Sequence, residues 1–158
     1  MSEERPHNIE AEEKLVGSLL LDSTLTARVS TIVKPDDFYI VKAGWVFEAI
    51  CALALDGQDV DVVTVCAALA EAGRLDQVGG PSFVSGLTLD IPVASHAESY
   101  ARIVAGTAFR RRLIQAASNV AALAYDEQVG AALRVEVVDG VLALEVLEIR
   151  TVDNRRHG

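Results

Sequence analysis

Apolar residues recur every three or four positions along most of this chain, which is the spacing of one helical face. Residues that start or stop helices interrupt the pattern at short intervals. Asn8 is placed to cap a first helix with Ala11, Leu15, Val16, Leu19 and Leu20 on its apolar side. Glu10, Glu12 and Glu13 fall in its positive first turn. Asp22 or Ser23 caps a second helix carrying Leu25, Val29, Ile32 and Val33, which Pro35 stops. After an acidic-aromatic turn, Asp36-Asp37-Phe38-Tyr39, a third helix carries Trp45, Val46, Ala49, Ile50 and Leu53 and closes at Gly57. Asp61 caps a fourth with Val62, Val65, Ala68 and Leu69, ended by Gly73. Arg74 to Pro81 reads as a loop, with Gly79 and Gly80 freeing the backbone. Pro81 suits the first position of a short fifth helix that covers Ser82 to Leu89 and breaks at Asp90-Ile91-Pro92.

The longest stretch without proline, Ser95 to Tyr125, predicts a helix roughly 45 Å long, more than a small domain needs to cross its core. Ser95 and Glu98 have the spacing of a reciprocal cap. Ile103, Thr107, Ile114, Ala121 and Tyr125 lie on one line of this helix, and Phe109, Leu113 and Val120 on a second. A surface helix normally shows one apolar stripe, so two stripes imply partners on two sides. Those partners are either the rest of this domain, wrapped around a central helix, or this domain and a neighbouring subunit.

Ala131–Arg150 admits two structures. Asp139-Gly140 is a turn signal for a β-hairpin that pairs Leu133 with Val146, Val135 with Leu144, Val137 with Leu142 and Arg134 with Glu145. As a helix, the same segment lines up Val135, Val138, Leu142 and Ile149, with Glu145 interrupting the stripe.

Composition narrows the class. Of the 158 residues, 51% are apolar, enough for one domain with a core, and only 5% are aromatic, which suits packed helices. The net charge of −9 argues against a domain that wraps a nucleic-acid backbone, so direct DNA binding is expected to be weak or absent. Cys51 and Cys66 sit in apolar helical patterns without ligand-like neighbours, as reduced thiols of a cytoplasmic protein do. No apolar run reaches membrane-spanning length, and the acidic N-terminus is not a signal peptide. Asp36, Asp37, Asp59 and Asp61 stand where helix caps belong, and no histidine or cysteine joins them at metal-ligand spacing. No catalytic, cofactor or metal residues are expected. Arg110-Arg111-Arg112 is the one basic cluster, but three consecutive residues span roughly 200° of helix and make no single phosphate-facing patch.

Five stretches in order, PHNIEAEEKLVGSLLLD, KPDDFY, DVDVVTV, GRLDQVGG and ESYARIV…RRRLIQAA, resemble the N-terminal domain of DnaB-type replicative DNA helicases. The resemblance runs from about Pro6 to Asp126. It implies an all-α fold: a small six-helix head over 8–94, then a helical arm or hairpin over 95–150, between polar tails at 1–7 and 151–158. In that family the hairpins pair subunits into a collar that sits on a hexameric motor and receives primase. The resemblance thus implies a homo-oligomer, a dimer or trimer of dimers, with primase and replicative helicase as partners. It also supplies a packing partner for 131–150, so the helix is the expected form of that segment. Arg110, Arg111, Ile114, Ala117, Val120 and Ala121 become the candidate self-association interface.

The chain departs from the family in places. At Gly44 and Trp45 the resemblance leads one to expect a histidine and then an aliphatic residue, and Gly106 interrupts the long helix where helix-favouring residues are usual. No G-x-x-x-x-G-K-[ST] loop occurs, and Lys14, Lys34 and Lys42 are the only lysines. Nothing here cradles a nucleotide phosphate, so no ATP hydrolysis is expected of these residues. Two functional classes stay open: an interaction module of DNA replication, and part of an ATP-dependent helicase whose motor lies on a downstream region or a separate chain.

Overall fold

Asn8 caps α1 (Ile9–Leu21) as its position predicts, its side-chain oxygen accepting the Ala11 N–H at 2.9 Å. The structure, a computed structural model, describes residues 4–125 and the backbone of two strands, 132–138 and 141–147. The chain divides into two compact units, Met1–Ala108 and Phe109–Gly158.

In the first unit α1 is followed by α2 (Thr26–Val29), α3 (Val41–Leu55), α4 (Val62–Glu71), α5 (Leu75–Val78) and α6 (Gly80–Gly86). The first turns of α7 (Ala97–Ala124) complete it. These helices bury much of the faces their spacing announces, Leu15, Val16 and Leu19 from α1, Val46, Ile50 and Leu53 from α3, and Val65 and Leu69 from α4. Phe47 and Val84, which the spacing did not single out, are buried with them, whereas Trp45 and Ala49 are half-buried. The all-helical character of the head is therefore as expected.

Its punctuation is chemical. Asp61 accepts the N–H groups of Val63 and Thr64 at 2.7 and 2.9 Å, and the Thr64 hydroxyl reaches back to the Asp61 N–H at 3.0 Å. Asp37 closes the short 3-10 turn Pro35–Asp37 by accepting the Lys34 N–H at 2.9 Å. Asp90, at φ 57°, makes the break before Pro92, and the Lys14 ammonium donates to its carbonyl at 2.5 Å.

Several boundaries differ from the sequence reading. The second helix stops at Val29, and Ile32 and the buried Val33 lie in the turn beyond it. The stretch expected as a loop after Arg74 holds α5, which ends at Gly79 in the left-handed region, φ 105°. α6 accordingly begins at Gly80, earlier than expected, with Pro81 in its first turn. Ser95 lies inside a 3-10 turn, Ala94–His96, and the Glu98 carboxylate instead holds the Arg28 guanidinium at 3.1 Å. An ion pair between elements has replaced the predicted reciprocal cap.

Two glycines are required by close approach. A Cβ on Gly17 would fall onto the carbonyl oxygen of Leu87, so α1 and the end of α6 pack backbone to backbone there. A Cβ on Gly44 would stand 2.8 Å from the Pro35 carbonyl oxygen, which explains why this chain carries glycine at that position. Gly106 has open space around it, and α7 runs through it unbroken.

In the second unit, α7 continues from Phe109 and is followed in sequence by β1 (Ala132–Val138) and β2 (Val141–Leu147). The strands are antiparallel, with Leu133 opposite Val146, Val135 opposite Leu144, Val137 opposite Leu142 and Arg134 opposite Glu145. The helix expected over 131–150 is thus corrected to strands, in the register of the hairpin alternative. The physical reason is local: Val135, Val137, Val138, Val141 and Val146 are β-branched, stiff at χ1, and fit a pleated ribbon better than a helix. The Asp139-Gly140 turn itself lies outside the described residues, as do the tail from 151 onward and the side chains of the arm segment Val135–Ile149.

Candidate interaction surfaces

The first turns of α7 bury a line of small residues, Ala97, Ala101, Val104 and Ala108, and Thr107 beside them is buried with its hydroxyl on the Val104 carbonyl at 2.9 Å. Of the predicted line through Ile103, Thr107, Ile114, Ala121 and Tyr125, only Thr107 is buried. The stripe facing the head is the small-residue one, displaced by one position from the bulkier residues that periodicity favours. Small side chains let helix backbones come close, and their weak hydropathy hides them in a sequence reading.

Beyond Ala108 the candidate residues gather on one side of the helix. At 100° per residue, Phe109, Val120, Leu113, Ala117, Arg110, Ala121 and Ile114 fall in that angular order within roughly 140°. The two lines expected from the sequence are the two edges of this single broad face. Ile114 is 48% exposed and Phe109 and Leu113 nearly as much, Arg110, Ala117 and Ala121 are exposed, and Val120 is half-buried. Arg111, half-buried, falls outside this sector, on roughly the far side of the helix from Phe109. The geometry brings together every predicted interface residue except Arg111, and adds Phe109 and Leu113.

The head carries a second set of features that the sequence reading missed. Glu12 is fully buried, and its two carboxylate oxygens accept the backbone N–H groups of Tyr39 and Ile40 at 2.8 and 2.9 Å. The His7 ring stacks on Tyr39 with centroids 4.5 Å apart. Arg74 joins α3 to the start of α5: it pairs with Glu48 at 2.5 Å and lies over the Trp45 ring at 5.0 Å. Lys42 sits over Phe83 of α6 at 3.9 Å. Nothing local marks these residues. Glu12 looks like one more acid in a helix first turn, and a buried charge there shows only once the chain folds back.

Cys51 and Cys66 are both free thiols, half-buried, and burial pushes the Cys51 pKa up to about 11 and raises that of Cys66. Such thiols are poor nucleophiles at neutral pH. Of the four aspartates, Asp37 and Asp61 are caps, while Asp36 and Asp59 are exposed. Among the described residues no three His, Cys, Asp or Glu side chains converge as a metal site, and no helix is long and apolar enough to cross a membrane.

Residues 4–106 match the DnaB-like helicase N-terminal domain. The replicative DNA helicase DnaB of Geobacillus stearothermophilus is 36% identical over 152 residues, covering 96% of this chain and 32% of that protein. The replicative DNA helicase DnaC of Bacillus subtilis is 35% identical over 123 residues, covering 78% of this chain and 27% of that protein. The chain thus spans about a third or less of the length of these relatives. Among solved structures, the N-terminal domain of DnaB helicase from Mycobacterium tuberculosis superposes with a TM-score of 0.75 at 35% identity, over 78% of this chain and 89% of that one. The corresponding domain from Helicobacter pylori, described together with its interactions with primase, shares the fold with a TM-score of 0.65 at 16% identity, over 74% of this chain and 91% of that one. With a helical head matched over most of its length and these sequence relationships, the chain belongs to the DnaB-like helicase N-terminal domain family.

Proposed function

We propose that this chain is a protein-interaction and self-association module of DNA replication that acts in the cytoplasm, pairs with copies of itself and presents its head to primase or the replicative helicase. The observation that carries the reading is the exposed face of α7 from Phe109 to Ala121, where Phe109, Leu113 and Ile114 stand open in a single chain. Covering several hundred Å² of such surface is worth on the order of 10 kcal/mol before ordering costs, at about 25 cal/mol per Å². Pairs of subunits then assemble as dimers or as a trimer of dimers. With a net charge of −9 and no phosphate loop in these residues, the module contributes contacts rather than ATP hydrolysis or DNA affinity. The length relationship favours a second reading. The relatives are about three times as long, so the domain can equally serve an ATP-dependent helicase whose motor lies on a further region or a separate chain.

Sedimentation velocity at tens of micromolar tests the self-association. The unaltered chain is expected to sediment as a dimer or larger, and I114D or V120D as a monomer whose head keeps its helical circular dichroism. A monomeric unaltered chain with a single cooperative thermal transition refutes the reading, because the face is then satisfied within one subunit.

A further inference from the structure

A cleft of about 300 Å³ opens on the head beside the Pro35–Asp37 turn. Its walls are Phe38, Val41 and Trp45, and its floor includes the bare backbone of Gly44. The close approach of Gly44 to the Pro35 carbonyl fixes the turn against α3, so packing sets the shape of the cleft.

The charges around it are unevenly matched. Glu48 and Arg74 neutralise one another, and Arg74 also covers part of Trp45. Lys42, next along α3 from Val41, is taken up by the Phe83 ring. Asp36 lines the cleft as an exposed carboxylate for which no hydrogen bond or ion pair is found among the described residues. The cleft thus sets two carboxylates against one guanidinium, between apolar walls. An anion would meet net repulsion, and a purely apolar plug would leave Asp36 unused while taking water from the solvent-exposed Glu48–Arg74 pair. A long side chain with an aliphatic stem and a cationic head satisfies both features: the stem lies along Val41 and Trp45, and the head reaches Asp36.

We infer that this cleft is a docking site for an arginine or lysine side chain presented by a partner protein between apolar neighbours. The inference rests on the cleft alone and stands or falls separately from self-association through α7. Specificity comes from the combination, since the carboxylate selects charge while the indole and Val41 select a stem long enough to cross the cleft.

Trp45 is the single tryptophan of the chain, so its indole reports on this cleft directly. The full chain is titrated with the peptide acetyl-Leu-Arg-Leu-amide, following tryptophan fluorescence and the indole N–H resonance. A saturable change with a Kd below about 1 mM is expected. The isosteric peptide with citrulline in place of arginine is expected to bind at least threefold more weakly, and D36N to weaken the arginine peptide twofold to fivefold, the range of an exposed ion pair. No hydrogen bond or ion pair of the Asp36 side chain is found among the described residues, so D36N should keep the unaltered melting temperature, and E10Q, at an exposed residue of α1, should bind as the unaltered chain does. Absence of a saturable change at millimolar peptide, equal binding of the citrulline peptide, or undiminished binding by a folded D36N each overturns the proposal.

Discussion

Glu12 of α1 reaches across the head to accept the backbone N–H of Ile40, at 2.9 Å, immediately before α3 begins. Its second oxygen takes the Tyr39 N–H at 2.8 Å. α3 has no acidic residue in its own first turn and no side-chain cap at Ile40, so Glu12 supplies from another helix the negative charge that a helix start favours. A buried carboxylate persists because both its oxygens are used. Replacing it with alanine strands two N–H donors, at a cost of about 3 kcal/mol, and glutamine, which keeps one acceptor, should cost about half as much. Urea unfolding of the three proteins checks this order. An E12A variant within 0.5 kcal/mol of the unaltered chain, a surface-substitution value, rules the clamp out.

Gly17 and Gly106 are both helical glycines with opposite surroundings. G17A drives a methyl into the Leu87 carbonyl and should lose about 3 kcal/mol or fail to fold. G106A meets nothing and should gain about 0.5–1 kcal/mol by restricting the unfolded chain. Thermal melts of the pair decide it, and equal effects of either sign would contradict the packing described.

Asp61 gives a pH dependence of known sign. The Thr64 N–H bond, helped by those of Val63 and the Thr64 hydroxyl, holds its pKa below the ordinary 3.8 against a smaller opposing effect of desolvation. The carboxylate is therefore stabilising above its unfolded pKa, and the contribution fades as the pH falls through the folded value. D61A should melt a few degrees lower than the unaltered chain at neutral pH. That gap should be unchanged down to about pH 5 and narrow by about pH 3. A gap that widens on acidification would mean that the cap works through some other group.

Helix starts and stops were legible because their causes are local. Asn8 and Asp61 cap through their own side chains within three residues, and Gly57 and Gly73 turn the chain at φ 69° and 68° whatever surrounds them. The head's apolar faces were legible for the same reason, since a helix of fixed period buries one side. The order of the motifs along the chain carried the family, whereas the two stripes expected of α7 proved, beyond Ala108, to be the edges of one face that holds Arg110, Ile114, Ala117, Val120 and Ala121 but leaves out Arg111. What the sequence left undecided depends on residues far apart meeting. Glu12 became a clamp only when Tyr39 arrived, Glu98 left its predicted cap for Arg28, and Arg74 turned a nominal loop into the tie between α5 and α3. The second arm shows the converse. Family context argued for a helix, but the β-branched residues and cross-strand partners of 132–147 formed strands, because the register of Leu133 with Val146 and Val135 with Leu144 is set by that segment alone. Periodicity located the buried face of α1 and α4 but not that of α7, where small residues turn to the head, and single long-range contacts decide which charges, glycines and caps a face will use.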